Sequence, residues 1–191
     1  MSTQQRDSGF HALETEKSVA YVKRGKEYIA VVATLSDKLM AEIATLKMAY
    51  WPYDLSSQMR WMRDNLRDSD QHVLMRRGND LIGYARLTLR DSKIIGVSTV
   101  CVSPTFVRQG LGTIVMAVAN ERIDAEQNRF GLLCCRADLL PFYEGCGWQR
   151  TSCDCFYADR PTEMYFRDSC IMSRNAPNRL PKSLLIEGPT F

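Results

Sequence analysis

Short apolar runs separated by polar turns make up most of this chain, and their spacing switches between the period of a strand and that of a helix. Residues 18–23 and 27–35 predict two strands around a turn at Gly25. Ser36 and Asp37 form a helix cap, and Leu39, Met40, Ile43, Leu46 and Ala49 recur behind it at helical spacing until Pro52 stops the helix. Asp54 caps a second helix carrying Leu55, Met59, Met62 and Leu66. Residues 71–77 and 81–90 predict strands joined by the Gly78-Asn79-Asp80 turn, and residues 94–103 continue the meander. Leu111, Ile114, Val115 and Val118 then share one face of a helix. The continuously apolar residues 131–135 predict a strand buried on both faces, as in the middle of a sheet. A short helix over 139–146 tolerates Pro141 in its first turn, and residues 148–157 and 164–174 read as a closing antiparallel pair. Residues 1–16 are polar and predict a flexible N-terminus, with 17–191 as a single domain. The tail from 178, NRLPKSLLIEGPTF, has an apolar centre that predicts docking onto the rest.

Composition narrows the class. The 191 residues are 45% hydrophobic and 25% charged, an ordinary soluble balance with length enough for a sizeable core. No apolar run approaches the ~20 residues a membrane crossing needs, and the first residues lack the apolar centre of a secretory signal. The net charge of +3 is too mild to argue for nucleic acid, and no basic cluster is interleaved with aromatics. The seven cysteines include no C-x-x-C pair, and only His11 and His72 could join them, so no metal site is expected. Free thiols in a reducing cytoplasm are the expectation. Neither histidine adjoins a nucleophile motif.

The candidate chemistry starts at residues 102–113, VSPTFVRQGLGT. An apolar run ends at Ser103-Pro104, then Gly110 and Gly112 precede an apolar helical pattern. Strand, glycine turn and helix start make a phosphate-binding layout, because the first helical amides lack intrahelical partners and carry the positive end of the macrodipole. Glycine lets that backbone approach a diphosphate closely. A P-loop is excluded, since no Lys follows either glycine; a dinucleotide fingerprint is excluded, since Val115 stands where its third glycine belongs. The run Val107, Arg108, Gln109, Gly110, Leu111 and Gly112 resembles the coenzyme A loop of the GNAT acetyltransferase superfamily, [QR]-x-x-G-x-[GA], with Val107 in the place of the usual Gln or Arg. Residues 137–148, ADLLPFYEGCGW, resemble a later motif of the same superfamily through Tyr143, Gly147 and Trp148.

The resemblance implies an α+β fold with a mixed, mostly antiparallel central sheet flanked by helices, and acetyl-CoA (coenzyme A) as the cofactor. It places the cofactor on Cys101, Val102 and Ser103, whose backbone pairs with the pantetheine arm, and on residues 107–113, the last being Thr113. A main-chain N–H there, that of Val102, polarises the thioester carbonyl. Tyr143 is the candidate general acid, since a phenol of pKa ~10 can protonate a departing thiolate of similar basicity. Relatives carry a Glu on the central strand; residues 94–101 hold none. Asp91 and Asp138 are the acidic alternatives for the base, each with an ordinary turn or cap role beside it, and a water chain would also serve.

The acceptor pocket implied by the resemblance takes in Trp51, Tyr53 and Asp54, then Asp154, Asp159 and Glu163. Aromatic faces with carboxylates suit a hydroxylated, cationic amine such as an aminosugar. The tail and the LLPFYEGCGW run are similar to the aminoglycoside 2'-N-acetyltransferases and the nodulation N-acyltransferases, both of which acylate a sugar amine. The expected activity is therefore N-acetylation of an aminoglycoside-type antibiotic, with resistance as the implied role. Another small amine, a peptide or a protein N-terminus is the enzymatic alternative, and an acyl-CoA-binding sensor the non-enzymatic one. The partner is a small-molecule amine, with no nucleic acid or membrane; apolar content in the closing strands leaves room for a homodimer.

Overall fold

A computed structural model describes residues 18–90, 93–158, 163, 170–178 and 180–187. Asp91, Asp159, residues 164–169 and the expected flexible N-terminus lie outside the described residues. The chain gathers into two compact units, Met1–Arg86 with Thr99–Val115 and Leu87–Ser98 with Met116–Phe191. The architecture is α+β, a mixed and mostly antiparallel sheet flanked by helices. Among the described residues no helix is long and apolar enough to cross a membrane.

The first unit begins with β1 (Ser18–Arg24) and β2 (Glu27–Val32), an antiparallel hairpin around Gly25 at φ 65°. Helices α1 (Asp37–Met48) and α2 (Leu55–Asn65) follow, then β3 (Gln71–Arg77), β4 (Asp80–Leu89) and β5 (Ile94–Val102). The strand order is β1-β2-β3-β4-β5. Both helices start where the sequence places a cap: the Ser36 hydroxyl accepts from the Leu39 amide at 3.3 Å, and an Asp54 carboxylate oxygen from the Ser57 amide at 2.8 Å. Leu39, Ile43, Leu46 and Met62 from these helices pack on Tyr28, Ala30, Val32, Leu74, Tyr84 and Cys101 from the strands. Burying that cluster supplies the main stabilisation of this unit, at about 1.5–3 kcal/mol for each large side chain.

A charged pair lies inside the same unit. Arg86 and Asp70, each 1% exposed, meet with Nε to Oδ2 at 2.7 Å, and Arg86 also donates to Asn65 O at 2.7 Å. Beside them His72 Nδ1 lies 2.8 Å from the Tyr84 hydroxyl. Burial pushes the imidazole down to about 4, so His72 is a neutral core residue.

The second unit carries β6 (Phe130–Cys135), β7 (Gln149–Arg150), β8 (Asp154–Tyr157), β9 (Cys170–Arg174) and β10 (Ser183–Ile186). Its strand order is β5-β6-β9-β7, with β8 and β10 as a separate parallel pair. Helix α3 (Leu111–Asp124) runs from the first unit into this one, and α4 (Leu140–Gly145) extends a 3-10 turn at Ala137–Leu139. Trp148 is 2% exposed and closes on Gly131, where an added Cβ would stand 2.7 Å from the indole ring.

The closing strands differ from the expected antiparallel pair. Gln149 and Arg150 do pair antiparallel with β9, opposite Ser173 and Met172. The chain then turns away. Thr151 Oγ1 accepts from the Cys153 amide at 3.3 Å, a local side-chain bond that competes with the ladder. Beyond that bend, Asp154 to Tyr157 run parallel to the tail strand, Ser183 to Ile186. The tail docks as its apolar centre predicts, with Ile186 1% exposed beside Phe130, Leu132 and Ile171.

Candidate active site

The turn after β5 has the shape a diphosphate requires. Arg108 and Gly110 both adopt left-handed backbone, at φ 61° and 75°, on either side of Gln109. Residues in that alternation turn successive amides into one concavity, the form of an anion-binding nest. Residues 107–110 are exposed, and a Cβ built on Gly110 would meet nothing within 4 Å, so the concavity opens outward. The Ile114 amide donates to Gly110 O at 3.2 Å; those of Leu111, Gly112 and Thr113 lie ahead of it at the positive end of α3. Arg77 stacks 4.4 Å over the Phe106 ring and steadies the 3-10 turn Pro104–Phe106 that leads in.

Strand β5 pairs with β6 along only part of its length. Its parallel ladder joins Ile94, Ile95 and Gly96 to Phe130, Gly131 and Leu132 and goes no further. Thr99 sits at φ 54°, a left-handed value that a β-branched side chain adopts only with strain. Such kinks bend a strand away from its neighbour. Past that point, the Ser103 amide still donates to Ile82 O of β4 at 2.8 Å. Cys101 and Val102 are buried, and the Cys101 thiol is pushed up to about 12 by burial, which leaves it inert as a nucleophile.

The linker between α1 and α2 comes to the same strand end. The Tyr50 hydroxyl donates to Val102 O. Burial raises the phenol above its ordinary value, with the nearby Cys101 thiol adding to the shift. Trp51 is half-buried, its ring edge-on to Tyr50 at 6.0 Å, and Tyr53 is 64% exposed. Asp54 is exposed and caps α2, and its bond from the Ser57 amide holds the carboxyl below the usual range.

In the second unit Tyr143 is buried at 7% exposure on α4, edge-on to Phe142 at 4.9 Å. Its carbonyl accepts from the Trp148 amide at 3.0 Å, across the left-handed Gly147 at φ 83°. Asn120 of α3 locks this segment, donating to Cys146 O and accepting from Trp148 Nε1, each at 2.9 Å. Asp138 is gripped by Arg136 through two bonds of 3.1 and 2.8 Å, and that guanidinium holds its carboxyl below the ordinary value. Asp154 is exposed on β8; Glu163 is exposed, and its carbonyl accepts from the Tyr157 amide at 3.2 Å.

The comparisons with known proteins fit this geometry. The sequence profile of the Acetyltransferase (GNAT) family matches residues 40–148, more than half the chain. The chain belongs to that family. GNAT acetyltransferases take acetyl-CoA as cofactor and transfer its acetyl group, and this chain is one of them. No curated protein matches it. Among solved structures it is similar in fold to an aminoglycoside 6'-N-acetyltransferase complexed with coenzyme A, at TM-score 0.61 and 12% identity over 80% of this chain and 99% of that one. The Streptococcus agalactiae acetyltransferase is similar at TM-score 0.59 and 14% identity, over 79% and 99%. The Escherichia coli ribosomal-protein-S18-alanine N-acetyltransferase is similar at TM-score 0.58 and 15% identity, over 80% and 99%.

The outward nest at residues 108–110 and the space above Gly110 fit the cofactor's diphosphate. Three features of the site were not visible in the sequence. Arg108 and Thr99 carry left-handed backbone without being glycine, and nothing local announces it. Tyr50 gave no signal either, because its role depends on where Val102 ends up.

Proposed function

We propose that this chain moves an acetyl group from acetyl-CoA to a primary amine of an aminosugar, of the kind found in aminoglycoside antibiotics. The observation that carries the acetyl-CoA half is the nest at Arg108 and Gly110, open toward solvent at the start of α3. Amides of residues 108–113 hold the diphosphate, and the unladdered end of β5 offers main-chain groups to an extended arm, as one strand offers them to the next. The Val102 amide polarises the thioester carbonyl, worth several kcal/mol when a donor is fixed in advance. The buried Tyr143 hydroxyl protonates the departing sulfur.

The aminosugar half rests on the α1–α2 linker. Exposed Tyr53 and the Asp54 carboxylate, with Trp51 beside them, offer an apolar face and a fixed negative charge to a hydroxylated cation. The family resemblance implies Asp154 and Glu163, both exposed, as further acceptor-side carboxylates. The tail and the Tyr143 segment resemble enzymes that acylate sugar amines. A thiol-release assay with acetyl-CoA and a panel of amines tests the reading. Release with aminoglycosides supports it, release with peptides alone replaces the acceptor, and tight coenzyme A binding without release from any amine makes the chain a sensor.

A further inference from the structure

A cavity of about 790 Å³ opens in the second unit, and none of the residues given a catalytic, cofactor or acceptor role above lines it. It is lined by the β7–β9 pair, where Gln149 stands opposite Ser173, and by the bend from Thr151 to Cys153. The loop from Asn175 to Lys182 completes it. That loop is pinned at both ends. At its start Arg174 Nε and Nη2 donate to the Asp124 carboxylate at 2.9 and 2.6 Å, and Nη1 donates to Gly147 O at 3.3 Å. The Asn175 side chain, on left-handed backbone at φ 56°, donates to the same carboxylate at 2.7 Å. At its end Lys182 O accepts from the Asp154 amide at 2.9 Å. Pro177 and Pro181 fix two torsions between, so the lining is largely ordered before a ligand arrives.

The charge of the lining has one sign. Arg150, Arg174 and Lys182 line the cavity, and among the described residues no Asp or Glu does. Asp124 neutralises Arg174. Arg150 and Lys182 are exposed, and among the described residues neither meets a carboxylate, so two positive charges remain. Such a lining repels a cationic amine and attracts an anion. Thr151, Ser152, Ser173, Gln149 and Asn178 bring hydroxyl and amide groups to it. We propose that this cavity binds a small phosphorylated polyol. Arg150 and Lys182 take the phosphate, whose several oxygens suit a planar guanidinium fork and a point charge together. The hydroxyl and amide side chains take the polyol. The volume lies in the range of small-molecule sites, roughly 300–1,000 Å³, and the mostly polar lining favours a hydroxylated ligand over an apolar one.

This site stands apart from acetyl transfer, so its failure leaves that reading untouched. The full chain, labelled with 15N, is titrated with glucose 6-phosphate, glucose and inorganic phosphate while its amide resonances are followed. Glucose 6-phosphate should move the amides of residues 149–153 and 173–182 and saturate with a Kd of about 1 mM or below at low salt. Glucose and inorganic phosphate should each bind at least ~5-fold more weakly, since each lacks one half of the recognition. Arg150→Gln with Lys182→Gln, at two exposed positions, should weaken glucose 6-phosphate by ~10-fold or more. Gly110→Val should leave that binding as in the wild type. Shifts centred on residues 108–113, no saturation by ~20 mM, or unchanged affinity in the double variant overturns the site. Glucose binding as tightly as its phosphate overturns the charge recognition, and inorganic phosphate binding as tightly overturns the polyol.

Discussion

The turn after β5 and the strands that close the chain are built by different means. The turn works with main-chain amides, aimed by two left-handed residues and a helix start. Under the proposed reading, Val107 can stand where the family pattern has Gln or Arg because main-chain amides would hold the cofactor. The closing strands work through distant partners: β7 needs β9, and β8 needs the tail strand β10. There the pairing decides where the side chains stand. A backbone site therefore keeps its family signature while sequence drifts. A side-chain site does not, which is why the cofactor is settled here and the acceptor is a proposal.

The harshest way to break this contrast is Trp148→Ala. It removes a ring packed on Gly131 and its bond to Asn120, and should lower stability in urea by about 4 kcal/mol; a loss under ~1 kcal/mol would mean the indole does not hold the segment. Acid should strike the other unit. His72 has a folded pKa of about 4 against 6.5 unfolded, so above pH 6.5 both states are neutral and nothing is lost. As pH falls the unfolded chain takes the proton first, and stability declines through that window by about 3 kcal/mol. His72→Gln should flatten this limb of the stability curve, and an unchanged limb would place the acid lesion elsewhere.

Tyr143→Phe should reduce turnover ~10²-fold with coenzyme A affinity nearly intact. Full turnover removes the acid role. Gly110→Val should instead raise the Kd for coenzyme A by ~20-fold, since φ 75° disfavours a branched side chain at the mouth of the nest. Calorimetry showing wild-type affinity would detach the nest from the cofactor. The mildest probe is Leu185→Ser on β10, a site 55% exposed, where less than ~0.5 kcal/mol should be lost. A larger, concentration-dependent loss would show that a second copy covers it.

Much of the first unit was legible because its signals are local. Ser36 and Asp54 cap the helices they were expected to cap, and Gly25 and Gly78 take the left-handed turns between their strands. The glycine turn and the Tyr143 segment were legible as motifs. The bend at Thr151 was not, because a hydroxyl meeting an amide two residues on looks like any polar position in a strand. Nor was the burial of Lys47, since a lysine in a last helical turn reads as a solvated charge until Trp61 and Arg86 fold around it. The apolar tail announced that it docks, but not that it becomes a parallel strand.

The residues alone determined the elements, their caps and a glycine turn at a helix start, since each depends on backbone geometry and neighbours within a few positions. Only the tertiary structure decided which strand the tail joins, where β5 parts from β6, and which titratable groups lose water. Those outcomes depend on contacts between residues far apart in the chain, whose energies are set by burial and hydrogen-bond satisfaction rather than by local preference.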